Sequence, residues 1–297
     1  MKRKIIKYLS YLALMLFSTI ESRASVKVAC VGDSITQGFG LGKLTYPMKL
    51  GKMLGEEYEV KNFGLGGRTL LKKGDYPYTN DYTYNTTLHW NPDIIIIKLG
   101  TNDSKPHNWS SYGKHFVSDY ESLIKRYQSL PSNPRILLGT PCPIFSAAFG
   151  PDCPEVVAKQ IAPAVRGLAQ SFGLELIEFH ERMLGLPELF PDSVHPDIYG
   201  TTTMAAIAYE KIVRVKSELI RPTITIKRLQ RNRQTEIEWP AIYGGYVLEE
   251  GAVPRRSKNK EIIWKVCKWA GRLEGDVFRI PFTAKRGKSS FFRLMSP

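Results

Sequence analysis

The chain has 297 residues, 43% of them hydrophobic, and a formal net charge of +14. That apolar content is enough for a substantial core and excludes a disordered chain, and the length suits one large or two smaller domains. The charge is uneven: residues 1–24 hold five Lys/Arg against one acid, 25–221 hold 21 against 20, and 222–297 hold 16 against 7.

The first segment reads basic MKRKIIK, then the apolar run YLSYLALMLFSTI, then Ser22-Arg23-Ala24, which places small residues before a cut. This is the layout of a signal peptide, with cleavage expected after Ala24 and export to the periplasm or beyond. An uncleaved anchor is the alternative, disfavoured because the apolar run is short for a bilayer. No later apolar run is long enough to span one, so the mature chain is expected to be soluble.

From there to about residue 221 short apolar runs alternate with helical patterns, the mark of a parallel sheet built from strand–helix units. The expected strands are Val26–Val31, Glu57–Asn62, Asp93–Leu99, Arg135–Thr140 and Leu174–Phe179. The expected helices are Tyr46–Leu54, Phe116–Leu130, Glu155–Phe172 and Ile198–Leu219. In the second of these, Val117, Tyr120, Leu123, Ile124 and Tyr127 are spaced as one face of a helix. The fold class is therefore α/β, a three-layer αβα domain over residues 25–221.

Arg221-Pro222 breaks the last helix, and period-two alternation follows in Thr223–Ile226 and Glu236–Trp239, with an apolar run at Tyr246–Leu248. Residues 222–297 thus read as a small basic module resembling an antiparallel β-sandwich. Its charge suits a polysaccharide or an anionic envelope surface. Export argues against nucleic acid, and a solubilising surface with no partner is the alternative.

Four places carry polar residues of catalytic type, three of them directly after strands, where a doubly wound sheet opens its crevice. Gly32-Asp33-Ser34 leaves the first strand, where Ser34 is either a helix cap or a nucleophile. Asn62-Phe63-Gly64-Leu65-Gly66-Gly67-Arg68-Thr69 leaves the second, and its glycines let backbone approach a reacting group. Gly100-Thr101-Asn102-Asp103 leaves the third, with a side-chain amide able to donate to an oxyanion or, alternatively, to cap a helix. Asp192-Ser193-Val194-His195 precedes the last helix, a spacing that lets a carboxylate orient an imidazole.

Cys30 sits in a strand and reads as a small buried hydrophobe. Cys142 and Cys153 share the loop PCPIFSAAFGPDCP and could close it as a disulfide in an oxidising compartment, while Cys267 is expected to stay unpaired. No Cys/His spacing suggests zinc.

In order, GDSIT, NFGLGGRT, GTND and DSVH match the four blocks of the SGNH hydrolases, the GDSL esterase family, and the chain resembles that family from Val26 to Leu219. The resemblance implies a flavodoxin-like sheet, Ser34 as nucleophile, His195 as general base and Asp192 as its partner. It also implies oxyanion donors from the backbone of Ser34, the backbone of Gly67 and the side chain of Asn102. The adjacent Gly66 leaves the glycine open to a shift by one. No metal or cofactor is called for.

After the glycine block, Tyr76, Tyr78 and Trp109 offer flat faces and polar groups of the kind a sugar site uses, the alternative being that they pack the loop. TLLKKGDYPY and GTNDSKPHNW are similar to exported bacterial sialate O-acetylesterases and related carbohydrate esterases. The expected activity is removal of short acyl groups from carbohydrate through an acyl-enzyme. A lysophospholipase or thioesterase, and a non-catalytic glycan-binding protein, are the competing readings.

Overall fold

The computed structural model describes residues 24–214 and, beyond them, seven strands between residues 225 and 295. The signal-like segment 1–23, Cys267 and the boundary at Arg221 lie outside the described residues.

The first five strands are β1 (Val26–Gly32), β2 (Tyr58–Gly64), β3 (Ile94–Lys98), β4 (Arg135–Gly139) and β5 (Glu175–Ile177). They form one sheet in the order β2-β1-β3-β4-β5, with every neighbouring pair parallel. This is the flavodoxin order, whose crevice lies beyond the carboxyl ends where β1 and β3 diverge. Val28 is the register mark, level with Val60 on one side and Ile94 on the other.

Alternation along the central strands sends side chains into two cores. Ala29, Val31, Ile95 and Ile97 join one apolar cluster, and Val28, Cys30, Ile94 and Ile96 join the other. Because both faces are covered, these strands read as continuous apolar runs.

In chain order the helices are α1 (Ser34–Gln37), α2 (Tyr46–Leu54), α3 (Tyr82–Trp90), α4 (Pro106–Tyr112), α5 (Phe116–Gln128), α6 (Cys153–Val156), α7 (Ala162–Ser171), α8 (Phe179–Met183) and α9 (Ile198–Val213), with a π turn Val157–Ile161 between α6 and α7. Helices α5 and α7 supply Tyr120, Leu123, Val165 and Leu168 to the first cluster, while α2 and α9 supply Tyr46, Leu50, Met204 and Ala208 to the second. A parallel sheet flanked by helices is thus the core, as expected.

Two readings of particular residues are corrected. Val117 is 44% exposed, and the buried face of α5 starts instead at Phe116. Phe116, Tyr120, Leu123, Ile124 and Tyr127 keep the helical spacing once the stripe is shifted by that one residue. Cys142 and Cys153 are free thiols. Cys142 packs with Met183 and Met204 in one cluster, and Cys153 lies in the other with its Sγ 3.3 Å from the Ser104 carbonyl. The loop between them carries the chain from one core to the other, so the expected disulfide is corrected.

Beyond residue 224 lie β6 (Thr225–Arg228), β7 (Thr235–Pro240), β8 (Val247–Ala252), β9 (Ile263–Val266), β10 (Arg272–Glu274), β11 (Val277–Phe282) and β12 (Phe291–Met295). They pair antiparallel in two sheets, β10-β11-β7-β6 and β12-β8-β9. Among the described residues no helix is long and apolar enough to cross a membrane.

Candidate active site

Strand β1 ends by delivering Asp33 and Ser34 to the carboxyl edge of the sheet. Asp33 caps α1 by accepting the Ile35 N–H at 3.0 Å, and Ser34 opens that short helix. From residue 195, far along the chain, the imidazole reaches back: His195 Nε2 lies 2.8 Å from Ser34 Oγ. Its other nitrogen, Nδ1, lies 2.6 Å from Asp192 Oδ2. With Nδ1–H donating to the carboxylate, Nε2 is left with the lone pair that accepts the serine proton.

The loop that holds His195 is built by Asp192 itself. Its Oδ1 accepts the backbone N–H of Val194 at 2.9 Å and of His195 at 2.6 Å. Ser193 between them adopts a left-handed backbone with φ 68°, a conformation costly for a residue with a side chain. The Ser193 carbonyl accepts the Phe145 N–H at 3.0 Å, which ties the loop to the segment after β4. Burial raises the Asp192 pKa, but the backbone and ring hydrogen bonds from His195 and the N–H of Val194 outweigh it and hold the carboxyl below its usual range.

The glycine loop lies beside Ser34. A methyl group placed on Gly66 would stand 3.7 Å from the Ser34 Cβ. The Gly66 N–H donates to Gln37 Oε1 at 2.9 Å. Gly67 has φ 76°, and its N–H makes no hydrogen bond among the described residues. Only glycine takes this backbone angle at low cost. Asn102 Nδ2 donates to the Arg68 carbonyl at 3.1 Å, so the amide side chain is docked on the same loop with one hydrogen left over.

Buried carboxylates and amides fix this edge from beneath, and one charged residue there, Lys98, lies outside the sequence motifs. Lys98 ends β3 in full burial, and its Nζ pairs with Asp33 Oδ1 at 2.8 Å. Asp103, also fully buried, accepts the N–H groups of Leu70 and Leu71 at 3.0 and 2.7 Å. Burial pushes Asp103 up to about 7, against the hydrogen bonds that favour its charge, and nearby Asp33 adds to the rise. Asn108 bridges the two segments, donating to the Asn102 carbonyl and to Asp75 Oδ1, each at 3.0 Å. Asp75 is held below the usual carboxylate range despite burial, by hydrogen bonds from Asn108, His107 and Lys105. A lysine at the end of an isoleucine strand is the one sequence sign that could have exposed this support, since a buried cation demands a partner.

The aromatic expectations divide. Tyr76 is 58% exposed, its ring 3.9 Å from where a Gly67 side chain would begin and 5.7 Å from the Arg68 guanidinium. Tyr78 is wholly buried, its hydroxyl donating to the Phe63 carbonyl at 2.8 Å. It cannot touch a substrate, and that expectation is corrected: the residue packs the loop. Trp109 spends its indole N–H on Gln160 at 2.9 Å and meets Phe116 edge-on, half-buried against the core. Two rings not singled out in the sequence stand closer to the site. Phe39 lies 4.8 Å from the His195 ring at an interplanar angle of 32°, and Phe149 meets it edge-on at 6.3 Å. Among the described residues no group of three or more His, Cys, Asp or Glu side chains is placed to hold a metal ion.

The chain is 39% identical over 204 residues to an acetylxylan esterase of Xylanibacter ruminicola, a match covering 62% of this chain and 42% of that one. The chain therefore spans about two fifths of the length of that curated relative. A carbohydrate acetylesterase family member from Sinorhizobium meliloti superimposes with a TM-score of 0.52 at 27% identity, covering 64% of this chain and 97% of that one. An aryl esterase of M. smegmatis does so with a TM-score of 0.54 at 16% identity over 65% of this chain and all of its own, a likeness of fold alone. The profile of the GDSL-like Lipase/Acylhydrolase family matches residues 30–201, from within β1 to the start of α9, and this chain belongs to that family.

Proposed function

We propose that the protein is a serine esterase that removes short acyl groups, chiefly acetyl, from carbohydrate. The observation that carries the reading is the continuous relay from Asp192 Oδ2 through the His195 ring to Ser34 Oγ, with contacts of 2.6 and 2.8 Å.

A serine hydroxyl is a weak nucleophile near neutral pH and needs a base within hydrogen-bond reach. His195 Nε2 takes the proton as Ser34 Oγ attacks the ester carbon, and Asp192 supports the imidazolium that results. The negative charge arriving on the carbonyl oxygen is met by the N–H groups of Ser34 and Gly67 and by Asn102 Nδ2. Each such donor is worth about 3–4 kcal/mol at that step. His195 then protonates the departing alcohol, leaving an acyl-enzyme on Ser34. Water, deprotonated by the same histidine, releases the acid and restores the serine.

Carbohydrate is favoured over lipid by the acetylxylan esterase relative and the S. meliloti carbohydrate acetylesterase likeness, and by the exposed Tyr76 beside Gly67. The relative's name favours an acetylated xylose backbone over the sialate esters that the loop sequences resemble. Export after Ala24, division into a hydrolase domain over 25–221 and a basic module over 222–297, and attachment of that module to polysaccharide or an anionic envelope surface complete the reading. Release of acetate from acetylated xylo-oligosaccharides and O-acetylated sialic acid, set beside release of the longer acid from an octanoyl ester series, tests it. Turnover of the xylose esters first supports the proposal; a preference for octanoyl or longer chains would replace it with a lipase or thioesterase.

A further inference from the structure

Phe39 departs from the ordinary placement of a large apolar side chain. It is 64% exposed, although it belongs to the segment that immediately follows the nucleophile helix α1. Its backbone is fixed rather than loose: the Phe39 N–H donates to the Ser34 carbonyl at 3.1 Å. Gly38 and Gly40 on either side take left-handed angles, φ 84° and 73°, which glycine adopts at low cost. The ring comes to rest against the imidazole of His195, offset and 32° from parallel.

Where that ring stands relative to the chemistry decides what it can touch. His195 serves the alcohol half of the ester, since Nε2 must hand its proton to the departing oxygen. Groups beside the imidazole therefore border the alcohol, whereas groups beside Gly67, such as Tyr76, border the carbonyl. Phe149 also meets the imidazole, and Lys105 Nζ stands 5.3 Å from the centre of the Phe149 ring. The alcohol side thus offers an exposed aromatic surface with a second ring and a cation near it.

We infer that Phe39 is the platform for the pyranose ring that bears the acyl group, and so a specificity-determining residue on the alcohol side of the site. This rests on the carbohydrate reading above. A pyranose presents a face of C–H bonds that packs on an aryl ring while its hydroxyl groups stay in water or reach polar neighbours. A small alcohol such as ethanol is too short to cover the ring and gains little from it.

The test compares the wild type, Phe39→Ala and Phe39→Trp on two substrates, an acetylated xylo-oligosaccharide and ethyl acetate. Phe39→Ala should lower kcat/KM for the sugar ester roughly five- to tenfold more than for ethyl acetate, mainly through KM, and Phe39→Trp should restore the ratio. An equal change on both esters would overturn the platform alone, because Phe39 would then act only on the imidazole. If the wild type turns over ethyl acetate and no sugar ester, the carbohydrate reading fails and takes the platform with it.

Discussion

Lys98 Nζ lies 2.8 Å from Asp33 Oδ1, with both side chains sealed from solvent next to Ser34. Each charge is tolerable there only because the other is present. Lys98→Met should leave Asp33 buried and unpaired, at a cost of about 3–5 kcal/mol in urea unfolding. The double variant Lys98→Met/Asp33→Asn should recover much of that loss. If Lys98→Met alone is neutral, the pair does not hold this edge of the sheet.

Asp103 makes the stability of the protein depend on pH in a definite direction. Its pKa is raised to about 7, so between the unfolded value near 4 and about 7 the native state holds a proton the unfolded state has lost. The contribution of Asp103 therefore favours folding below about pH 4 and is lost as pH rises to about 7, by up to about 4 kcal/mol. Measured against Asp103→Asn, wild-type stability should fall across that window. A difference between the two proteins that does not vary with pH would show that Asp103 is not a buried titrating group.

Asp192 is tested by the tautomer it imposes. Asp192→Asn should keep the fold and lower kcat on the order of 10³–10⁴-fold, because an amide can hold the ring with the wrong nitrogen protonated. Steady-state hydrolysis of a chromogenic acetyl ester checks this, and a loss of less than tenfold would remove Asp192 from the relay.

Tyr76 and Tyr78, two residues apart, should behave oppositely. Tyr78→Phe removes the hydroxyl's hydrogen bond to the Phe63 carbonyl and should cost about 0.5–1.5 kcal/mol of stability, with kcat/KM little altered. Tyr76→Ala, at an exposed ring, should stay within about 0.5 kcal/mol of wild type in stability while raising KM for the sugar ester severalfold. The reverse pattern would exchange their roles.

Thiol chemistry gives a further check. With Cys142 and Cys153 free in separate cores, reducing agent should leave the unfolding midpoint unchanged. A drop on reduction would mean that a disulfide stabilises the protein after all.

The sheet was legible in the sequence because its strands are buried on both faces, so runs such as the four isoleucines at 94–97 announce themselves without alternation. The blocks around Ser34, Asn102 and His195 were legible because each sits at an element end, and the structure brings Ser34 and His195 into contact. What stayed hidden depends on tertiary neighbours. Helix α3 is rich in threonine and tyrosine, poor markers of a helix, and is started by Asp81 as its cap. Tyr76 and Tyr78 look alike in sequence, but Tyr76 stays exposed while Tyr78, which opens the short 3-10 turn Tyr78–Asn80, is buried. Phe39 follows a glycine in what reads as a loop, and nothing local says that the histidine from position 195 will lie against it. Cys142 and Cys153 are close in sequence, but the sheet stands between their cores.

If Ser34, activated by His195, performs the chemistry, its hydroxyl is indispensable to turnover. Hydrolysis of para-nitrophenyl acetate should therefore be compared between wild type and Ser34→Ala, at matched concentration and with equal unfolding midpoints. The alanine variant should lose at least about a thousandfold in kcat. Equal rates in the two proteins would mean that the ester is cleaved elsewhere and that Ser34 is not the nucleophile.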